Sequence, residues 1–217
     1  MNAAIGAERR ELAARNSAAP LVLIVDDDPD MRSSLQDMFL AVRIDAIAFE
    51  TTAALLSHGF PDRPCCLVLD LRLPGSSGLD LQAYLTSHNV QIPIVFITGH
   101  ADVPTSVRAM KAGAVDFLPK PFAEQELLDA VNQSLRADGL RRVEVSIKGE
   151  LQRLAEQLTP REIEVLRGVA RGLLNKQIAY EMGITEITVK MHRSSAGRKL
   201  KSVSVADMIN KIELLDL

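Results

Sequence analysis

The chain has no tryptophan, two tyrosines and an aromatic content of only 4%. Its two cysteines, Cys65 and Cys66, are neighbours, and adjacent residues seldom reach disulfide geometry with each other. A disulfide-stapled scaffold is therefore excluded, and there is no second cysteine pair to complete a zinc site. Set in the run Cys65-Cys66-Leu67-Val68-Leu69, both read as buried small hydrophobes. No apolar run approaches the roughly 18 residues of a membrane span. The stretch 1–19 carries Glu8, Arg9, Arg10 and Glu11 and lacks the apolar core of a signal peptide. It reads as an N-terminal extension rather than a secretion signal, and a cytoplasmic location is expected.

What is present suits two domains. The 217 residues are 47% apolar and 24% charged, a composition that can bury two cores and argues against disorder. The net charge of −3 is unevenly spread. From Thr159 to Leu217 there are ten Lys or Arg against seven Asp or Glu, so the acidic excess lies in the front of the chain. An acidic front and a basic tail fit a phosphate-handling domain joined to a nucleic-acid reader.

Between Pro20 and Arg136 five short apolar runs alternate with amphipathic stretches: Leu21–Val25, Asp45–Phe49, Cys65–Leu69, Ile92–Ile97 and Val115–Leu118. Most are nearly continuous in apolar residues, as strands buried on both faces are. Met31, Leu35, Met38, Phe39 and Val42 step at helical spacing, with Asp28 placed to cap and Pro29 to open that helix. Thr105–Ala112 and Glu124–Arg136 also read as helices. Five such units predict an α/β domain over 20–136, a flavodoxin-like, doubly wound, five-stranded parallel sheet of order 2-1-3-4-5.

Residues 137–157 read two ways. Leu140, Val143, Ile147, Leu151 and Leu154 step by three and four, whereas Val143, Val145 and Ile147 alternate, and Gly139 and Gly149 interrupt the segment. A largely helical linker is favoured, one that packs on a neighbour or pairs between chains. From 158 to 217 the pattern is all helical. Thr159-Pro160-Arg161-Glu162 is a capping box with proline at the first helical position. Ile163, Leu166, Val169 and Ala170 are its expected core face, and Gly172 its stop. Asn175 is placed to cap a second helix, with Ile178, Ala179 and Met182 inward. Gly183-Ile184 forms a tight turn and Thr185 caps a third helix that reaches about Leu200. Val205, Met208, Ile209 and Ile212 mark a fourth. Four short helices make a small helix-turn-helix domain.

Chemistry concentrates at the strand ends. The first run ends Val25-Asp26-Asp27-Asp28 and the third ends Leu69-Asp70. In the predicted order these strands are neighbours, so their carboxylates converge where open parallel sheets bind ligands. Clustered acids repel one another and call for a hard cation, for which an oxygen-lined, hydrated site suits Mg²⁺ (or Mn²⁺). The fourth run ends Ile97-Thr98-Gly99 and the fifth leads to Lys120-Pro121-Phe122, adding a hydroxyl and an ammonium at the same rim. Such a set can hold a phosphoryl group on Asp70.

These motifs resemble the receiver domain of two-component response regulators. The residues that carry the likeness are Val25-Asp26-Asp27-Asp28-Pro29, Leu69-Asp70-Leu71-Arg72-Leu73-Pro74-Gly75 and Lys120-Pro121-Phe122. Thr98 to Pro104 and Val107 to Ala114 are similar to the FixJ-like branch. The resemblance implies Asp70 as phospho-acceptor, with Asp26, Asp27, Asp70 and the Arg72 carbonyl as metal ligands. It implies Thr98 and Lys120 as phosphate-sensing residues, and a cis bond before Pro121. Phe117 stands at the aromatic switch position, where its lack of a hydroxyl leaves only ring packing to do the switching.

The third tail helix carries Lys190, His192, Arg193, Arg198 and Lys199 against one acid, Glu186, and so suits the DNA major groove. Leu158-Thr159-Pro160-Arg161-Glu162, Gly172 to Ala179 and Thr188-Val189-Lys190-Met191-His192-Arg193 resemble the LuxR-type DNA-binding domain. That resemblance implies base reading by Lys190, Met191 and Ser194 and phosphate contacts by Lys176, Thr188 and His192, with Arg198 also on the DNA side. Gly197 falls where the family carries a larger apolar residue, which predicts a packing gap.

The expected protein is a transcription factor, not an enzyme beyond slow self-chemistry at its phospho-acceptor. Its expected partners are a sensor histidine kinase, double-stranded DNA, a second copy of the chain on activation, and RNA polymerase. Two other readings stay open: a DNA-binding regulator indifferent to phosphorylation, and a phosphatase with an aspartyl nucleophile.

Overall fold

A computed structural model describes residues 19–99 and 102–215. The expected extension lies almost wholly outside these residues, as do His100 and Ala101. Sixteen elements follow in order. They are β1 (Leu21–Val25), α1 (Pro29–Ala41), β2 (Asp45–Phe49), α2 (Thr52–His58), β3 (Cys65–Asp70) and a two-residue hairpin, β4 (Arg72–Leu73) with β5 (Ser76–Ser77). Next come α3 (Gly78–Ser87), β6 (Ile94–Thr98), α4 (Val103–Lys111), β7 (Asp116–Pro119) and α5 (Glu124–Ala155). The last four are α6 (Pro160–Ala170), α7 (Asn175–Met182), α8 (Glu186–Lys199) and α9 (Val205–Leu214). The chain divides into two units, one up to Val143 and the other from Glu144.

In the first unit the sheet order is β2-β1-β3-β6-β7, with every neighbouring pair parallel. The strands read as unbroken apolar runs because both faces are covered, and their residues divide by parity. Leu21, Leu23, Val25, Leu67, Leu69 and Phe96 join one core with Leu55 of α2, Leu81 and Leu85 of α3 and Ala109 of α4. Val22, Ile24, Cys66, Val68, Val95 and Ile97 join the other with Leu35 and Phe39 of α1 and Leu127, Val131 and Leu135 of α5. Both cysteines are buried and free, and burial pushes the Cys66 thiol up to about 12.

Several element limits differ from the sequence reading. Helix α4 begins two residues early, because Asp102 caps it by accepting the Thr105 N–H at 2.8 Å. Helix α5 continues without interruption across Gly139 and Gly149 to Ala155. No helix among the described residues is long and apolar enough to cross a membrane.

The second unit has two cores. One joins Leu151, Leu158, Leu166, Ala196, Leu200, Met208 and Ile212. The other joins Val165, Val169, Ile178, Ala179 and Val189. The capping box of α6 forms in both directions: Thr159 Oγ1 accepts the Glu162 N–H at 3.3 Å, and Glu162 Oε2 accepts the Thr159 N–H at 2.8 Å. Three expectations need correction. Ala170 is exposed, and Val165 takes the inward position, because the buried arc of α6 closes at Val169. Val205 is also largely outside the core, at 46% exposure. Asn175 is not a cap but the first residue of α7. Leu174 holds the extended capping conformation, its N–H is satisfied by Gln177 Oε1 at 2.8 Å, and Asn175 Oδ1 accepts from Arg193 Nη1 at 3.1 Å. Gly183 ends α7 at φ +64°, a left-handed turn that suits a residue without Cβ.

Candidate functional site

The first candidate site lies at the carboxyl ends of β1 and β3, whose register sets Val25 opposite Leu69. The residues that follow each of them, Asp26 and Asp70, therefore stand side by side. Asp27 completes a trio whose carboxylate oxygens lie within 4.8 Å of one another. Asp26 and Asp70 are buried and Asp27 is exposed, which leaves one side of the trio open to solvent.

Lys120 closes the cluster from the end of β7. Its Nζ donates to Asp26 Oδ2 and to Asp70 Oδ2, each at 2.7 Å. The second oxygens are held by the backbone: Asp26 Oδ1 accepts the Asp28 N–H at 3.0 Å and Asp70 Oδ1 accepts the Arg72 N–H at 2.9 Å. Burial raises the proton affinity of Asp26, against the pull of Lys120 and the Asp28 N–H. For Lys120, burial works against the charge, yet the two carboxylates win and its pKa is raised. The ammonium thus stays charged between the two carboxylates.

The remaining expected residues surround this cluster. Thr98 ends β6, fully buried, and its carbonyl accepts the Lys120 N–H at 2.7 Å. The Lys120–Pro121 peptide bond is cis. Phe117 sits half-buried in β7 opposite Phe96, with ring centroids 6.3 Å apart in a tilted pair. Arg72 lies two residues past Asp70 and is exposed. Arg32 was not foreseen: its Nη1 donates to the Asp26 carbonyl at 2.7 Å and braces the acidic turn from α1. Its position six residues after Asp26, on a helix opened by Pro29, was the available signal.

The second candidate site is α8. Thr185 caps it, accepting the Thr188 N–H at 3.2 Å, and the two threonine hydroxyls are 2.9 Å apart. Val189 and Ala196 turn inward and are fully buried. Lys190, Met191, Ser194 and Arg198 are all exposed, as is Lys176 on α7, while Thr188 and His192 are half-buried. The structure therefore gathers the expected base-reading residues on one outward stripe. Ile187 heads the same stripe at 79% exposure, with Met191 one turn on at 59%. Sequence reasoning passed it over, although its i, i+4 spacing to Met191 was visible.

The expected gap at Gly197 does not form. A Cβ there would lie 2.9 Å from Met208 Cε, so the methionine of α9 already fills the space above the glycine.

An acidic rim bridged by a lysine, on a doubly wound sheet, and a separate helix-turn-helix unit are the parts of a two-domain regulator. Residues 22–132 match the response regulator receiver domain, and residues 156–212 match the luxR family of bacterial regulatory proteins. The chain belongs to the FixJ-like two-component response regulators, which act as transcription factors. It is 48% identical over 201 residues to nodulation protein W of Bradyrhizobium diazoefficiens, covering 93% of this chain and 88% of that one. Response regulator protein TodT of Pseudomonas putida is 41% identical over 197 residues, 91% of this chain and 87% of its own. Among solved structures, response regulator StyR superposes with a TM-score of 0.81 at 46% identity, covering 90% of this chain and 99% of that one. Full-length FixJ from B. japonicum gives 0.55 at 30% identity, with 90% and 97% covered. Membership implies a histidine kinase and DNA as partners.

Proposed function

We propose that Asp70 accepts a phosphoryl group from a phosphohistidine of the partner kinase, and that this event controls DNA binding through α8. The observation that carries the reading is the single ammonium of Lys120 shared between Asp26 and Asp70 at 2.7 Å. In the transfer a carboxylate oxygen of Asp70 forms the new bond to phosphorus while the phosphorus–nitrogen bond to the imidazole breaks. Lys120 moves with the charge onto the phosphoryl oxygens, and the Thr98 hydroxyl donates to one of them. Phe117 repacks beside Phe96 as Thr98 shifts.

The three carboxylates and the Arg72 carbonyl are an all-oxygen donor set that suits Mg²⁺ (or Mn²⁺), and the exposed Asp27 leaves room for its waters. When bound, the ion offsets negative charge on the phosphoryl oxygens. Residues 20–136 act as receiver, 137–157 as a helical link and 158–217 as the DNA reader. The activated chain works as a dimer on a two-fold DNA site and contacts RNA polymerase, in the cytoplasm. Hydrolysis of the aspartyl phosphate resets the switch slowly, with no turnover of an outside substrate.

The test is treatment of the full chain with acetyl phosphate and Mg²⁺, read by intact mass, together with DNA binding and sedimentation after beryllofluoride. One phosphoryl group, absent from Asp70→Asn, and a rise in assembly or DNA affinity are expected. An unmodified Asp70, or modification with neither consequence, would remove the switch.

A further inference from the structure

Ile187 is a β-branched residue in the first turn of α8, 79% exposed. Isoleucine gains nothing there by burial, and its restricted side chain makes it a poorer helix former than alanine. Single exposed apolar residues are ordinary on protein surfaces, but this one has company. Met191, one turn later and also exposed, extends it into an apolar ridge. Hydrogen-bonding and charged groups accompany that ridge on α8: Lys190 and Ser194 on the same exposed stripe and the half-buried Thr188.

The ridge lies where a helix-turn-helix meets base edges, at the amino-terminal turns of its second helix. Within the major groove the one apolar group presented by a base pair is the C5-methyl of thymine. We infer that Ile187, with Met191, forms an apolar contact surface for a thymine methyl, and that Ile187 is a specificity-determining residue of this DNA reader. The inference rests on the DNA-binding reading of α8 and adds to it which base the helix head selects.

The experiment uses the full chain with Mg²⁺ and beryllofluoride. A duplex selected by the protein from random DNA is then remade with each thymine in turn replaced by deoxyuracil, which removes only the methyl group. Loss of about fourfold in affinity per buried methyl is expected at one or two thymines in each half-site. Ile187→Ala should bind the thymine duplex more weakly and lose discrimination at one of those positions, while its sensitivity at other positions is retained. Being exposed, the substitution leaves the fold intact, which circular dichroism verifies. Unchanged thymine-over-uracil discrimination in Ile187→Ala overturns the inference and leaves DNA binding standing. Failure of the parent chain to select any duplex overturns the DNA-reading assignment as well. A change in sedimentation of Ile187→Ala with discrimination intact assigns the residue to a protein contact and also overturns it.

Discussion

Asp138 and Cys65 are joined by a buried hydrogen bond, 2.9 Å from the Cys65 N–H to Asp138 Oδ2. Cys65 is the first residue of β3 and Asp70 the last, so a carboxylate of α5 holds the far end of the strand that presents the phospho-acceptor. Asp138 is 1% exposed and depends on Arg141 and Arg142 for its charge balance. Arg142 Nε donates at 2.6 Å and also reaches Asp62 at 3.0 Å. Removal of one partner from a buried ionic cluster leaves the others uncompensated. Asp138→Ala should therefore lower the stability of the first unit by about 3 kcal/mol. Asp138→Asn, which keeps an acceptor for Cys65, should lose less. Urea unfolding followed by circular dichroism measures both, and a loss below about 1 kcal/mol for Asp138→Ala would show the cluster to be dispensable.

The acidic trio predicts a metal-dependent stability. A cation bound only by the folded state raises the unfolding midpoint with concentration. Mg²⁺ should stabilise the first unit, and Asp27→Asn should weaken that response about tenfold in concentration, a difference of about 1.4 kcal/mol. Asp27 is chosen because it is exposed, so the variant keeps its core. A melting curve indifferent to Mg²⁺ would mean that Lys120 alone balances the three acids.

Much of this site could be read from strand ends, for a physical reason. In a parallel sheet covered on both faces, the apolar runs themselves announce the strands, and the first polar residue after each run must lie at the rim. Asp26, Asp70 and Thr98 were placed by that logic alone. Side-chain partnerships between distant segments were not accessible in the same way. Nothing in the local pattern links Lys120 to both carboxylates at equal distance, Arg32 to the Asp26 carbonyl, or Asp138 to Cys65. Helix caps were legible when the side chain was the cap, as at Asp28, Thr159 and Thr185. The start of α7 was misread because its cap is Leu174, and the stabilising side chain, Gln177, comes from inside the helix.

Two glycines with similarly short clearances should respond to alanine in opposite directions. A Cβ on Gly78 would lie 2.7 Å from the Asp70 carbonyl oxygen and 3.0 Å from Phe96. Backbone and a packed ring cannot yield, so Gly78→Ala should cost about 1–3 kcal/mol and slow phosphorylation by displacing Asp70. At Gly197 the obstacle is Met208 Cε at 2.9 Å, the mobile end of a flexible side chain. There the helix preference of alanine should prevail, adding about 0.5–1 kcal/mol to the second unit. Thermal unfolding of the two variants decides, and destabilisation by Gly197→Ala would show that Met208 has no alternative rotamer.

Glu162 makes the second unit sensitive to acid. The side chain is buried, which opposes ionisation. The Lys199 ammonium at 2.7 Å, the Thr159 N–H and hydroxyl and the Ser195 hydroxyl nevertheless hold its pKa down at about 2, below its ordinary 4.5. A carboxyl depressed by folding contributes stability above its unfolded pKa and loses it as pH falls through the folded one. The contribution, roughly 3 kcal/mol in total, should be complete above about pH 5, decline from about 4.5 and be exhausted near 2. Glu162→Gln should lose that amount at neutral pH and show no decline of its own in the acid range. The Lys199→Met variant should shift the decline of the second unit upward in pH, because the first of the opposing forces is gone while burial remains. Denaturant titrations of the three proteins between pH 2 and 7 separate the cases, and parallel curves for parent and Glu162→Gln would assign the acid sensitivity elsewhere.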